Sequence, residues 1–200
     1  MPKKIRNTPI EIAYNIVASK NNGEFVVKDR TNNTNLDPRN INDKIKIYER
    51  QVLGWFIEPA EILVNDDKNG FIVLMICLSY LEGVEIYKYG TKSKGKSKSF
   101  FVSALNRIYP KNFIEEELGD LYIEARCGLF HNGMIKGKTV ISYDYDDAIN
   151  FVDSNTIKIN PKLLLKDIKK DFLDFIAYLK LNNEAQMLFD RMFSNIAENE

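Results

Sequence analysis

The chain has 200 residues, 44% of them hydrophobic and 12% aromatic, enough to bury one substantial core and therefore one domain with additions. Lys plus Arg and Asp plus Glu both total 28, which excludes a positive field over the whole molecule and makes any nucleic-acid site local. Cys77 and Cys127 lack CxxC spacing, which argues against a zinc site and a disulfide framework and suits the reducing cytoplasm.

No apolar leader is read in Met1 to Thr8. Ile10, Ile12, Tyr14 and Ile16 alternate like a strand, yet Ile12, Ile16 and Val17 suit a helix equally, and periodicity leaves both open. Thr31 to Asn42, rich in Asn and holding Pro38, reads as a connection, so residues 1–42 are taken as an N-terminal appendage and linker and 43–200 as the main body. Asp43 is expected to cap a helix through Ile45, Tyr48, Val52, Trp55 and Phe56 that Pro59 stops. After Asn69-Gly70, apolar residues from Ile72 to Tyr87 recur at three- and four-residue steps, predicting a long central helix to about Tyr89. Its longest apolar run, Phe71 to Leu81, is too short to span a bilayer, so no membrane partner is expected.

Lys88 to Lys98 alternates lysines with Gly, Ser and Thr and reads as a flexible basic loop. Short helices are expected over Phe100 to Ile108 and Phe113 to Phe130. Thr139 to Tyr143, Ala148 to Val152 and Thr156 to Ile159 are β-branched runs separated by turn residues, a small β-hairpin or three-stranded flap at about 139–159. Pro161 opens a helix with a stripe from Leu164 to Leu179, and Ala185 to Ile196 closes the chain as an amphipathic helix. There is no internal repeat. The fold expected is mainly α, a helical bundle with a β flap and an N-terminal appendage.

The sole histidine, His131, leads the acid-base candidates, because imidazole alone gives and takes protons near neutrality without perturbation. Arg126 precedes it by five positions and offers a guanidinium that grips phosphate oxygens and stays charged. On an ideal α-helix that spacing rotates the two by about 140°, off a common face, unless Gly128 breaks the helix or the Asn132-Gly133 turn swings His131 out.

The string Arg126-Cys-Gly-Leu-Phe-His131-Asn-Gly resembles the Rx4-6H motif of the HEPN family, as does its place after a long apolar helix bearing Glu82 and Glu85. Cys127 stands where that family often has Asn, Asp or His. The resemblance covers about residues 43 to 197 and implies a HEPN-like helical bundle. It also implies a homodimer whose motifs face each other across a composite cleft, with Arg126 and His131 catalytic. The implied activity is metal-independent RNA cleavage by 2′-hydroxyl transesterification, with no cofactor, in a toxin–antitoxin, abortive-infection or phage-defence setting. An antitoxin or nucleotidyltransferase is the partner such a setting implies.

Supporting roles stay open residue by residue. Asn132 either binds phosphate or only adopts the turn, and Tyr122 either stacks on a base or fills the core. Glu82 and Glu85 either orient Arg126 or are surface carboxylates. Lys92 and Lys94 either clamp an RNA backbone or belong to a solvated linker. Arg126 itself reads alternatively as the ion-pair partner of Glu124 or another carboxylate, and the whole alternatively as a module that binds RNA, a nucleotide or a protein without cutting.

Overall fold

The computed structural model describes residues 8–21 and 24–193. The leader reading of Met1 to Thr8 and the last residues of the expected helix ending at Ile196 fall mainly outside them.

The chain opens as an antiparallel meander of four strands, β1 (Ile10–Ala13), β2 (Ile16–Asn21), β3 (Glu24–Asp29) and β4 (Thr34–Leu36), in spatial order 1-2-3-4. Short polar side chains that tolerate the left-handed region make two of its turns, Asn15 at φ 58° and Asn33 at φ 55°. The inward face carries Ile12, Ala13, Ile16, Ala18, Val27 and Leu36, all buried in one core with the helices. This stretch is therefore a layer of the fold. The Asn-rich connection contains a turn and a strand.

Helix α1 (Ile41–Val52) starts at Asn40, whose side chain accepts from the backbone N–H groups of Asn42 and Asp43. Asp43, one turn in, accepts instead from the Asp37 N–H. Pro59 does not stop the helix. Leu53–Ile57 widens into a π-helical segment and the path continues as α2 (Glu58–Leu63), with Pro59 in its first turn. Widening the turn before a proline eases the clash of its ring with the preceding carbonyls.

Helix α3 (Gly70–Tyr89) is the hub, packed by α4 (Ser97–Ile108), α6 (Pro161–Leu181) and α7 (Asn183–Met192). The stretch Asp67–Tyr89 is long and apolar enough by composition to cross a membrane, with mean hydropathy 1.6. Here Leu74, Cys77, Leu78 and Leu81 of that stretch lie fully buried against Phe101, Phe172 and their neighbours. Only the middle of the expected basic loop is a loop, since Lys88 and Tyr89 end α3 and Ser97 and Lys98 begin α4.

α5 (Glu115–Leu121) runs without a break into a π-helix over Tyr122–Asn132. A second sheet follows, of β5 (Thr139–Ile141), β6 (Ile149–Asp153) and β7 (Thr156–Ile159) in order β5-β7-β6, with β5 parallel and β6 antiparallel to β7. Of the two arrangements expected it is the three-stranded flap, with β5 paired to the later strand. Asn160 ties it to α6 by capping that helix and donating to the Tyr143 and Tyr145 carbonyls.

The fold class expected from sequence is thus corrected. Two sheets stand beside the helices in a mixed α/β arrangement, and a mainly α bundle is overturned. The meander's strands are three to six residues long and its alternation is broken by a bulge between Glu11 and Ala13, so period-two patterning never runs far enough to outweigh a helical reading.

Candidate active site

The π-helix over Tyr122–Asn132 sets the geometry. A ladder closing at five residues in place of four makes about 4.4 residues per turn, which reduces the rotation between positions five apart from about 140° to about 50°. Arg126 and His131 therefore leave the helix on much closer faces than an α-helix allows. Gly128 is demanded by what crosses it: a Cβ there would stand 2.7 Å from the Met134 carbonyl oxygen and 3.1 Å from the Lys136 nitrogen. The returning chain is fastened at that crossing, where the Lys136 N–H donates to the Glu124 carbonyl (2.9 Å). Gly133, at φ 72°, ends the helix.

Arg126 donates from Nη2 to Oε2 of Glu82 on α3 at 2.7 Å, and the two side chains are 19% and 14% exposed. Its guanidinium also lies 5.5 Å from the ring centroid of Tyr122 and 5.0 Å from that of Phe130. These aromatics stand four residues before and four after the arginine, the spacing that brackets a side chain on this helix. One N–H held by a carboxylate leaves others of the five free for a phosphate. Tyr122 rests edge-on against Phe101 of α4 at 5.4 Å. Burial pushes its phenol above the ordinary range, and the charge of Arg126 opposes that rise.

His131 is exposed at the end of the same helix, and its side chain makes no hydrogen bond or ion pair among the described residues. One chain therefore gathers Arg126, Glu82 and Tyr122 into a cluster and leaves His131 and Asn132 in solvent beside it, with no contact closing the Arg–His pair. Lys92 and Lys94 are exposed in the loop between α3 and α4 and join no ion pair among the described residues. Ile123 and Phe130 on the helix and Met134 just after it are large apolar side chains left 41%, 40% and 58% exposed. No group of three or more His, Cys, Asp or Glu suited to a metal ion occurs among the described residues.

The sequence reading assigned no role to Phe130 and offered Glu124 only as an ion-pair partner of Arg126, a place that Glu82 takes instead. An aromatic at plus four and another at minus four from Arg126 was the available signal for the first. Glu124 acts through its backbone carbonyl and accepts from the Lys138 N–H through its carboxylate (3.4 Å), and no pattern in the chain marks that.

A second polar cluster lies behind the site. Arg107 of α4 pairs with Glu85 of α3 and Asp171 of α6, and the Tyr80 hydroxyl donates to Asp171 at 2.6 Å. Glu85 is 2% exposed, so this network is a satisfied brace between three helices.

Comparison with protein-family models, with curated proteins and with solved structures finds no match.

Proposed function

We propose that this chain is a metal-independent endoribonuclease of the HEPN type that works through Arg126 and His131. The observation that carries the reading is the contrast between the two groups. The guanidinium is fixed by Glu82 and two aromatic rings, and the imidazole on the same π-helix is free in solvent.

Such a pair suits transesterification. His131 takes the proton of the ribose 2′-hydroxyl, whose oxygen forms a bond to the adjacent phosphorus, and the bond from phosphorus to the 5′-oxygen breaks. A proton delivered to that oxygen gives a free 5′-hydroxyl beside a 2′,3′-cyclic phosphate. Arg126 holds the non-bridging oxygens as charge builds on them. Aromatic faces at Tyr122 and Phe130 are placed where a base would stack, and Asn132, Lys92 and Lys94 are exposed groups able to meet the backbone.

The unclosed Arg–His pair and the exposed Ile123, Phe130 and Met134 favour a composite cleft in a homodimer, each subunit supplying both groups. The free thiols favour the cytoplasm, and a defence or toxin–antitoxin setting, with an antitoxin or nucleotidyltransferase as partner, goes with this type of enzyme.

One observation favours a second reading, a module that binds without cutting: Arg126 already has a counter-ion within its own chain. Single-stranded RNA incubated with the protein in EDTA decides. Cyclic-phosphate ends that vanish in Arg126→Ala and in His131→Ala support the nuclease. RNA that stays intact while bound to the wild type refutes it in favour of the second reading.

A further inference from the structure

Between α1 with its π-helical extension, α3 and α6 lies a cavity of about 220 Å³, on a different side of α3 from Glu82. Its wall is mostly aliphatic and aromatic and includes no charged residue. Phe56, 47% exposed, stands at its mouth on the π-helical segment, a distortion of the kind often found at functional sites.

Two features of this wall point to an occupant. The first is a pair of phenols. Tyr80 donates its hydroxyl to Asp171 and Ser79 donates to the Met75 carbonyl. The hydroxyls of Tyr48, only 4% exposed, and of Tyr87, its ring 4.4 Å away, have no hydrogen-bond partner among the described residues. A phenol that lines open space without a partner in the chain is free to donate to what enters it. The second is Gly83, in the middle of α3, where glycine disfavours the helix relative to alanine. Nothing lies within 4 Å of a Cβ built there, so close packing inside the chain does not require glycine. What the missing side chain preserves is the open volume of the cavity.

We infer that this cavity is a binding site for a small neutral molecule, mostly apolar, whose single hydrogen-bonding group is met by the hydroxyls of Tyr48 and Tyr87. Size follows from volume: a 150 Å³ cavity accepts benzene, so 220 Å³ scales to about nine non-hydrogen atoms. Neutrality follows from the wall, since an ion would lose its hydration with no opposite charge to face. A carbonyl oxygen suits the phenols, which donate to it.

Acetophenone is a matched probe, and benzoate, of the same size but charged, is its control. The readout is methyl NMR of the full chain, following Ile76, Leu165 and Ile168 in the wall. Acetophenone is expected to shift these methyls saturably and benzoate to leave them in place. The double variant Tyr48→Phe, Tyr87→Phe is expected to weaken binding about three- to tenfold, the loss of one hydrogen bond. Gly83→Leu, which fills the space and favours the helix, abolishes the shifts; Gly83→Ala, the folding control, keeps them. No saturable shift, equal binding of benzoate, or unchanged affinity in Gly83→Leu or in the tyrosine double variant overturns the inference. So does sedimentation showing a wild-type dimer that Gly83→Leu dissociates while acetophenone has no effect, because the space then belongs to a second copy of the chain.

Discussion

Changing Glu82 to glutamine keeps the shape of the group that holds Arg126 and removes its charge. The pair is 19% and 14% exposed, between the surface case, worth about 0–1 kcal/mol, and the buried case, where removing a partner costs about 3–5 kcal/mol. Glutamine's carbonyl can still accept from Nη2, and the Tyr122 and Phe130 rings still hold the cation. The expected loss for Glu82→Gln is therefore about 1–2 kcal/mol, a fall in Tm of about 2–8 °C for a chain of this size. A double-mutant cycle with Arg126→Gln, read by urea denaturation, isolates the charge-dependent part of the pair and is expected to give about 1–2 kcal/mol of coupling. Cleavage should fall about 10- to 100-fold in Glu82→Gln, because a loosened guanidinium misses the phosphate in most encounters. Coupling below about 0.5 kcal/mol would refute the argument that the carboxylate fixes Arg126.

Two further perturbations test the frame around the site. Lys88 has its amine pulled down to about 8 by burial, with Arg107 adding to the shift and Glu85 and Asp174 opposing it. Because an unfolded lysine keeps its proton to about 10.5, the unfolded chain binds more protons between the two values. The penalty is complete below pH 8 and fades as pH climbs toward 10.5, so Lys88→Met should gain stability at pH 7 and lose that gain by pH 10.5. Urea denaturation at both pH values checks this, and a gain independent of pH refutes it. Gly90→Ala should cost about 2–3 kcal/mol, because Gly90 sits at φ 60° and a Cβ there would stand 2.8 Å from the Leu188 carbonyl oxygen. A thermal melt unchanged within 1 °C would contradict that account.

Helices α3, α4 and α6 were legible because their apolar residues hold a three-and-four spacing over at least three turns, and β5 to β7 because β-branched runs alternate with turn residues. The N-terminal sheet was not. Ile12, Ile16 and Val17 satisfy either period, and the turns at Asn15 and Asn33 use asparagine, a residue equally at home in a linker. The path past Pro59 was hidden for a different reason: a π-helical segment has no composition of its own, and the one before Pro59 lets the chain continue where an α-helix would end. At the site, the residue types at 126 and 131 pointed to phosphate chemistry, and the spacing argued against a shared face. That objection assumed α-helical rotation, and the π-helix lessens it.

Glu82 and Gly83 are consecutive on α3, one facing Arg126 and the other the cavity beside Phe56. A rigid rod gripped at adjacent points transmits any tilt or slide to both. An occupant of the cavity that changes the seat of α3 must alter how firmly Arg126 receives a phosphate, and an anion bound at Arg126 must alter the occupant's hold by the same factor.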